Sequence, residues 1–466
     1  MKKNLLNPYE LFSNIDRHTS FKEDIVFWLG LRTSDFASIQ FIYPDGIGSA
    51  KYGKDSLLIE KKYKIISAEK HTKTRTDSDM TELEPYLTDF FLSFKKQPIH
   101  IISYHSIPFL ENLAAKFPNI NLLNPKYSIK KYLDQKTIVR KELIKRGINC
   151  IPGLETIVKD KYQFDEIAKK YDTPFIAQFD ESASGSGVHL IENHSDFSEL
   201  ILKNSGKPVN FLKYIHGESM NINAVRTRNF VVLSEPSFQI IGQPSCTKRK
   251  FGYCGNDFNI GGKISEEHIK EIFNMSKKIG EWLGSLEYYG VFGIDFITDK
   301  KNVYFTEINP RFQGSTSLLT DRQIEMGKIP LSFFHLVPYL NGLSVDEGAI
   351  QEYNKTTNTL KASQILLHNI SGKDSILESS INPGRYRFED EELKYLGPAN
   401  FLSETKSWDE VVLAGDIPVN GTRVLNDSDE ICRIYTYNET LDKGGRDLNA
   451  NTKKLVDAVY SKFKFK

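Results

Sequence analysis

The sequence predicts a mixed α/β (α+β) protein, and three observations support this prediction. Short apolar runs with strand character recur along the chain, among them residues 99–107 and 290–298. Amphipathic stretches such as 266–286 lie between these runs and carry apolar residues at helical spacing. The 466 residues also suffice for two or three domains with substantial buried cores. We therefore expect several α/β domains.

Composition and charge exclude several classes of protein. Hydrophobic residues make up 39% and charged residues 26% of the chain, which is typical of a globular protein and argues against long disordered regions. The 61 basic and 60 acidic residues leave a net charge of +1, so no overall field attracts nucleic acid or anionic lipid. We therefore predict that neither a nucleic acid nor a membrane is a partner.

Targeting signals and cysteine spacing point to the cytoplasm. No apolar segment precedes Asn7 and Pro8, so the first residues do not resemble a signal peptide. No run approaches the roughly 20 apolar residues of a membrane span. The four cysteines show neither a CxxC pair nor metal-finger spacing, which favours buried free thiols over disulfides. The sequence predicts a cytoplasmic protein.

The first region, residues 1–125, predicts a small α/β domain. "IHIISYHSI", residues 99–107, is typical of a buried strand followed by a loop, and "INLLNP" predicts a second strand that ends at Pro125. Strands mixed with helical stretches predict one α/β layer.

The central region, residues 126–344, begins with helical spacing from Tyr127 that closes at Gly147. Next, 173–179 and 188–193 predict two paired strands, with "DESASGSG" between them. The long helix at 266–286 then leads into two alternating apolar runs around a polar turn at 299–302, which predict a β-hairpin.

The last region, residues 345–466, predicts a small β-rich module. Short runs of strand character alternate with turn residues up to "ICRIYTY". The basic, amphipathic tail "LVDAVYSKFKFK" predicts a docked terminal helix rather than a membrane anchor.

The predicted hairpin carries the first candidate site. In "YFTEINPRFQGST", Glu307 and Asn309 lie two residues apart, so both point to one face of a strand, and Arg311 joins them if the chain stays extended. Asp295 of "GIDFI" lies opposite Glu307 if the turn centres near Lys301. Such a set of oxygens suits a hard cation such as magnesium, and the arginine suits a phosphate.

The alternative for the hairpin is a strand end with solvated or salt-bridged polar residues. Burying two carboxylates without a partner costs several kcal/mol each. A magnesium-phosphate site accounts for both carboxylates, the amide and the arginine at once, so we favour it.

A second candidate site is the Gly/Ser loop of residues 180–187. Its small residues let backbone N–H groups approach a phosphate, and its hydroxyls add donors. The alternative is an ordinary turn between strands. The loop is not a Walker A motif, since no Gly-Lys-Ser/Thr follows and the next element is a strand.

A third stretch, "FGYCGNDFNIGG" at residues 251–262, suggests an irregular Gly/Asn-rich loop. A loop near a functional pocket and an ordinary surface loop are equal alternatives for it.

The order of these motifs resembles the ATP-grasp superfamily. A helix carrying Lys136 is followed by the Gly/Ser strand–loop–strand, by "FLKYIHGES" and by "GIDF…YFTEINPRFQGS". The resemblance covers about residues 126–320 and is greatest to the biotin-carboxylase-like carboxylate-amine ligases of peptide or amino-acid ligase type. It implies a pre-ATP-grasp domain over 1–125 and a two-lobed core over 126–344, with the nucleotide lid at about 173–215.

The resemblance also implies roles for individual residues. Asp295, Glu307 and Asn309 match the positions that bind Mg²⁺, with Mn²⁺ as a substitute. Arg311 matches the catalytic arginine that stabilises the transferring phosphoryl group, and Lys136 matches the lysine that reaches the α- and β-phosphates of ATP.

Further matched positions imply nucleotide contacts. The backbone of Leu212, Lys213 and Tyr214 matches the adenine-binding linker, and Glu218 matches a ribose contact. The mobile phosphate lid is matched by Ser182, Ser184, Gly185, Ser186 and Gly187. By the same analogy residues 251–262 would lie near the acceptor or carboxylate pocket, with Lys248, Arg249 and Asn256 as anion contacts.

Two positions depart from the family pattern. Gln178 stands where many members carry a second phosphate-binding lysine, and its amide can still hydrogen-bond to a phosphate oxygen of the nucleotide but contributes no charge. Leu212 and Lys213 replace the usual acidic pair of the linker, which leaves adenine recognition to the backbone. Both departures leave the magnesium cluster unchanged.

The resemblance implies an ATP-dependent ligase that joins a small carboxylate to an amine through an acyl-phosphate, releasing ADP and phosphate. Three alternatives stay open: a carboxylase acting through carboxyphosphate, a ligase that charges a carrier-protein thiol, and a non-catalytic ATP-binding module. Dimers are frequent in related enzymes, which makes a homodimer the expected assembly.

Overall fold

The computed structural model describes residues 25–30, 35, 47–50, 54, 64–67, 84–94, 97–180, 187–340, 345–355, 360–415, 417–426 and 429–466. The predicted mixture of helices and strands is confirmed over these ranges. One buried core lies within the N-terminal layer and one within the small four-stranded sheet and its helices. A third spans the large central sheet and the helices over 127–145, and a fourth joins the N-terminal layer to the large sheet.

The N-terminal layer is a parallel sheet. Its elements are β1 Ile25–Leu29, β2 Ile47–Ala50, β3 Lys64–Ser67, α1 Glu84–Ser93, β4 Ile99–Ser103, α2 Pro108–Lys116 and β5 Ile120–Leu122. The strand order is β3-β2-β1-β4-β5, with all pairs parallel. Every residue of β4 is buried, as expected for a strand covered on both faces. The strand order reverses between β1 and β4, so the loop after β4 begins at this switch point.

A small lobe follows. Its elements are α3 Tyr127–Leu133, α4 Lys136–Lys145, β6 Gly153–Ile157, α5 Gln163–Tyr171, β7 Phe175–Gln178, β8 Val188–Ile191, α6 His194–Asn204 and β9 Pro208–Lys213. The four strands form an antiparallel sheet in the order β6-β9-β7-β8. The helical spacing predicted from Tyr127 is broken at Asp134 and Gln135, so that Lys136 is the first residue of a second helix.

The central region supplies one half of a large antiparallel sheet. Its elements are β10 Glu218–Arg226, β11 Val231–Leu233, β12 Ser237–Ile241, β13 Tyr253–Asp257, α7 Glu266–Ser285, β14 Gly290–Thr298, β15 Val303–Asn309, α8 Thr316–Glu325, α9 Leu331–Phe334 and α10 Glu347–Lys355. Ser265 caps α7 by accepting a hydrogen bond from the N–H of His268. The apolar stripe predicted for α7 is buried.

The C-terminal region extends the same sheet. Its elements are β16 Ser363–His368, β17 Ser375–Ser379, β18 Gly384–Glu389, β19 Glu392–Gly397, β20 Glu410–Ala414, β21 Arg423–Val424, β22 Glu430–Thr436, α11 Ala450–Tyr460 and β23 Lys464–Phe465. The order of the large sheet is β15-β14-β10-β12-β13-β16-β22-β20-β18-β19, with β11 paired to β10, whereas β21, β17 and β23 form a separate three-stranded sheet. Because β13 pairs with β16, the C-terminal strands continue the sheet that carries the hairpin.

The predicted hairpin is formed by β14 and β15. Asp299 Oδ1 accepts hydrogen bonds from the N–H groups of Lys301 and Asn302, both at 2.7 Å. The N–H of Asp299 donates to the carbonyl of Asn302, which closes the turn. A short Asx-type turn therefore fixes the register of the two strands.

Other predictions concern the chain as a whole. All four cysteines are buried free thiols, as expected. In the part of the chain that the structure describes, the helices are too short or too polar to cross a bilayer.

His335 connects the N-terminal layer to the large sheet. Its Nδ1 accepts a hydrogen bond from the N–H of Val291 on β14 at 3.0 Å, and its Nε2 donates to the carbonyl of Leu123 at 2.6 Å. The ring is buried, and this burial lowers the pKa of His335 to about 4. The ring is therefore neutral at neutral pH.

This neutral histidine predicts acid sensitivity. An unfolded histidine titrates near pH 6.5, so below that pH the unfolded state binds a proton that the folded state excludes. The free energy of unfolding should fall by about 3 kcal/mol as the pH drops from about 6.5 to 4. Urea unfolding at pH 7 and pH 4.5 tests this, with His335→Gln expected to lose much of the difference. His194→Gln, at a ring 63% exposed, should retain it. Equal acid sensitivity in all three proteins would contradict the assignment.

Candidate active site

Two carboxylates face each other on the hairpin. Asp295 on β14 is the direct cross-strand partner of Glu307 on β15, as predicted. Asn309 continues the row, and its Nδ2 donates to Asp295 Oδ2 at 3.0 Å. A register irregularity follows Asp295, between it and Phe296, without disturbing this pairing. The predicted trio therefore forms one cluster of oxygen-bearing side chains.

Lys136 joins this cluster from the small lobe. Its Nζ lies 2.8 Å from Glu307 Oε2, with the two side chains 15% and 27% exposed. Lys136 is the first residue of α4. The structure thus brings the predicted phosphate-binding lysine to the predicted metal ligands.

The two carboxylates are electrostatically unequal. Burial, together with the negative charge of Glu307, raises the pKa of Asp295 to about 7. Burial alone would also raise the pKa of Glu307, but the charges of Lys136 and Arg311 hold it below its ordinary value. The cations of the protein therefore compensate Glu307 and leave Asp295 short of positive charge.

Arg311 reaches the cluster by a turn, not by an extended strand. Its N–H donates to the carbonyl of Asn309 at 2.8 Å, which corrects the expectation of an extended path through Pro310. Its long side chain folds back, and Nη2 donates to Asn309 Oδ1 at 3.1 Å. Nη1 donates to the Tyr104 hydroxyl at 3.0 Å.

Tyr104 is a site residue that sequence reasoning missed. It follows β4 at the switch point of the N-terminal sheet, and its ring lies 5.6 Å from the guanidinium of Arg311. Its carbonyl also accepts a hydrogen bond from the N–H of Phe312 at 3.1 Å. The position just after a buried parallel strand was the available signal, because ligands collect at such carboxyl ends.

A layer of amides supports Asp295 from below. Asn221 Nδ2 donates to Asp295 Oδ1 at 2.5 Å and to Gln313 Oε1 at 2.6 Å. Gln239 Nε2 donates to the same Asp295 oxygen at 3.0 Å. Asn221 lies on β10 and Gln239 on β12, so neighbouring strands orient the carboxylate. The only sequence signal for Asn221 was a polar residue alternating with apolar ones in "SMNINAV".

The donor set fits a hard divalent cation. Among the described residues no group of three or more His, Cys, Asp or Glu side chains could hold a metal ion, so the candidate ligands are two carboxylates and one amide. Oxygen atoms of this kind are what magnesium prefers. The incomplete charge compensation of Asp295 is the feature that a cation would correct.

The Gly/Ser loop is described only at its edges. Gly187 precedes β8, and the predicted contacts Ser182, Ser184, Gly185 and Ser186 lie outside the described residues.

The first residue of this loop is held by two hydrogen bonds. Asp180 accepts hydrogen bonds from the Thr137 N–H at 2.9 Å and the Thr137 hydroxyl at 2.7 Å. Thr137 follows Lys136 in the first turn of α4. Gln178 ends β7 and is buried beside Asn210 of β9. The base of the loop therefore lies close to Lys136, the predicted phosphate-binding lysine.

The predicted adenine linker lies at the end of β9. Leu212 is buried, Lys213 is exposed, and the N–H of Lys213 donates to the carbonyl of Pro152 at 2.8 Å. Tyr214 follows directly. These residues connect the small lobe to β10, as a linker between two lobes should.

Glu218 does not enter the carboxylate cluster. It begins β10, and its Oε1 lies 3.2 Å from Arg446 Nη2. Since side chains alternate along a strand, Glu218 points to the face opposite Asn221. Its role as a ribose contact stays a prediction.

The expectation of an irregular loop at 251–262 is wrong for its central part. Residues 253–257 form β13, and Asn256 is buried with its Nδ2 donating to Ser237 Oγ at 2.9 Å. The Gly/Asn content misled the prediction because the small residues allow strands to approach closely. A Cβ at Gly255, for instance, would collide with the carbonyl of Gln364 on β16.

The amino-acid sequence is similar to known proteins. Residues 133–315 match the family model of the ATP-grasp domain. The small subunit of 2-oxoglutarate carboxylase from Hydrogenobacter thermophilus is 21% identical over 316 residues, which are 60% of this chain and 64% of that protein. The chain thus spans less than two thirds of the length of this curated relative.

Solved structures share the fold at low identity. The biotin carboxylase domain dimer of the same H. thermophilus enzyme, in complex with MgADP, ADP and bicarbonate, superposes with a TM-score of 0.59 at 14% identity, covering 95% of this chain and 90% of that one. Carboxyaminoimidazole ribonucleotide synthase from Aspergillus clavatus, complexed with ATP, gives 0.55 at 11% identity, covering 94% and 99%. Residues 133–315 therefore form an ATP-grasp domain, set within the fold that biotin carboxylase and carboxyaminoimidazole ribonucleotide synthase share.

Proposed function

We propose that the protein is an ATP-dependent ligase that phosphorylates a small carboxylate and transfers the acyl group to an amine. The observation that carries the proposal is the meeting of Asp295, Glu307 and Asn309 with Lys136 and Arg311. These residues come from the hairpin, the small lobe and the turn after β15.

The nucleotide and the metal follow from the same residues. Asp295, Glu307 and Asn309 would hold Mg²⁺, with Mn²⁺ as a substitute, and the ion would neutralise phosphate oxygens of the nucleotide. The MgADP complex of the H. thermophilus carboxylase supports this choice. Lys136 would exchange Glu307 for the α- and β-phosphates of ATP, and the linker at 212–214 would hold adenine through its backbone.

The reaction requires two transfers. A carboxylate oxygen of the substrate attacks the γ-phosphorus of ATP, and the bond to ADP breaks to leave an acyl-phosphate. The amine nitrogen then attacks the acyl carbon, phosphate leaves, and the amine loses a proton to solvent or to the departing phosphate. Arg311 lies next to Asn309 and would stabilise negative charge on the transferring phosphoryl group in the first step and on the departing phosphate in the second.

Carboxylation through carboxyphosphate is the second candidate. It is favoured by the likeness to two proteins whose names denote carboxylation chemistry, one of them bound to bicarbonate. Bicarbonate would then take the place of the organic carboxylate in the first transfer. The same five residues would serve, so bicarbonate dependence of ATP turnover distinguishes the two reactions.

The deciding experiment is ADP release from the purified protein with magnesium and ATP. Pools of amino acids, peptides, small carboxylic acids and bicarbonate are tested separately, with hydroxylamine as acceptor. Release stimulated by an organic acid, with a hydroxamate as product, is the expected result. Release stimulated by bicarbonate alone would establish the carboxylase. Binding of ATP without release in any pool would contradict both reactions, and would favour either a carrier-protein substrate or a non-catalytic module.

The proposal includes the assembly and the compartment. The H. thermophilus domain is a dimer, and we propose that this chain also forms a homodimer. We further propose that it acts in the cytoplasm. Light scattering of the full chain across a concentration series tests the dimer.

Lys136 provides a test of the nucleotide site alone. Lys136→Met should weaken ATP binding about 10- to 100-fold, because a charge-assisted hydrogen bond to phosphate contributes about 1.5–3 kcal/mol. Isothermal titration with ATP, with and without magnesium, measures the loss. The matched control is Lys141→Met, on the same helix and paired with Glu155 at 2.9 Å, which should bind ATP like the wild type. Equal affinity in both variants would exclude the phosphate contact.

A further inference from the structure

The turn after β15 is tied to the C-terminal region. Residues 310–315 connect β15 to α8 and carry Arg311. The carbonyl of Gly314 accepts two hydrogen bonds at 2.9 Å, one from Gln364 Nε2 on β16 and one from Arg433 Nη1 on β22. Both donors lie in the part of the chain that sequence reasoning left without a role.

The side chain of Arg433 is fully buried and fixed by an ion pair. Its side chain is 0% exposed and makes a two-pronged ion pair with Glu430, of which the Nη2–Oε2 distance is 2.8 Å. Gly415 leaves room for it, since a Cβ there would lie 2.6 Å from Arg433 Cγ. The guanidinium therefore has one orientation, aimed at the turn.

Stability alone does not explain a buried arginine at this position. Removing two charges from water is costly, and apolar side chains of similar volume often stabilise a fold as well or better. A charged donor at Gly314 does supply something that an apolar residue cannot, namely a strong and directional hydrogen bond to a chosen carbonyl. That carbonyl lies three residues after Arg311.

The rest of the turn shows the same pattern of restraint. Gln313 accepts a hydrogen bond from Asn221, the ring of Phe312 packs edge-on against Trp28 at 5.0 Å, and Ser315 accepts a hydrogen bond from Asn223. Gly314 has no side chain with which to be held. Its carbonyl is therefore the point at which the C-terminal strands fix the turn.

We propose that Arg433, assisted by Gln364, is a positioning residue that orients Arg311 through the Gly314 carbonyl. The inference rests on the proposed function. The C-terminal region is then a part of the catalytic unit, because it sets the geometry of a group in the phosphoryl-transfer site. A displacement of about 1 Å at such a group can cost about 100-fold in rate.

The test compares two buried ion pairs of the same region. The Arg433→Met/Glu430→Gln variant, called the clamp variant below, removes the Arg433–Glu430 ion pair and the Arg433 hydrogen bond to Gly314 without leaving an unpaired charge. The control, Arg385→Met/Glu410→Gln, removes a pair with side chains 13% and 4% exposed, whose arginine bonds to Glu410 and the carbonyl of Leu396. The clamp variant should lose about 100-fold in kcat with unchanged ATP affinity, and the control should keep both.

Two further readouts make the result independent of folding and of activity. Arg433→Lys, which keeps the charge and one donor, should recover part of the kcat. Hydrogen exchange of the peptide spanning residues 311–316 should quicken in the clamp variant and not in the control. Equal losses of kcat in both pairs, or unchanged exchange in the clamp variant, would overturn the inference. If the wild type releases no ADP with any substrate, the proposed function fails, and the exchange measurement alone decides the positioning role.

Discussion

Replacing Glu307 by Gln is expected to lower kcat for substrate-stimulated ADP release by about 1,000-fold. The change removes the negative charge of a proposed Mg²⁺ ligand, and the bound cation would stabilise the transferring phosphoryl group by several kcal/mol. Glu307 is the carboxylate that the protein keeps ionised, through Lys136 at 2.8 Å. Glutamine has the same shape but no charge, so the hairpin should fold while the cation is held poorly.

The measurement is steady-state ADP release across a magnesium titration. Glu155→Gln is a close control, since Glu155 is likewise 27% exposed and lies 2.9 Å from a lysine, Lys141. Glu155 lies on β6, away from the hairpin. The control should retain wild-type turnover. If Glu307→Gln also retained near-normal turnover at low magnesium, the metal assignment would be wrong.

Replacing Arg311 by Lys should lower kcat about 100- to 1,000-fold while leaving ATP affinity nearly unchanged, as expected for a donor that acts on developing charge. A lysine cannot reproduce the fork that bonds Asn309 and the Tyr104 hydroxyl together. The loss should therefore appear in kcat and equally in kcat/KM.

The matched control for Arg311 is Arg228→Lys. Arg228 also lies over a tyrosine ring, 5.4 Å from the centroid of Tyr289, and donates to a backbone carbonyl, that of Pro338. It lies outside the cluster and should tolerate the change. Rapid-quench measurement of the first turnover separates the chemical step from product release. An Arg311→Lys protein with a normal first turnover would remove this residue from the reaction.

Local patterns predicted the hairpin and most of the cluster on it. Alternation along β14 and β15, together with turn residues at 299–302, was enough to place Asp295 opposite Glu307. The same reasoning failed at 251–262, where Gly and Asn were interpreted as loop residues and β13 was found. Glycine marks both turns and close strand contacts, and only the neighbouring strand distinguishes the two.

Residues that enter the site from distant parts of the chain were harder to predict from the sequence. Lys136 was assigned by resemblance alone. Its ion pair with Glu307 depends on how the small lobe packs beside the hairpin, which the sequence does not show. Tyr104 and Asn221 carried no motif. Both lie in or just after predicted strands, and no sequence pattern there indicates that Tyr104 contacts Arg311 or that Asn221 contacts Asp295.

The sequence by itself determined the elements whose contacts are local: the hairpin, the helix over 266–285, the buried strand β4, and an order of motifs resembling the ATP-grasp superfamily. The tertiary structure alone decided that Arg311 is held by Tyr104, 207 residues away, and that Arg433 reaches Gly314 across 119 residues. The reason is physical. Periodicity and turn chemistry are set by neighbours along the chain, whereas a contact between distant residues depends on how whole layers pack, which no single segment encodes.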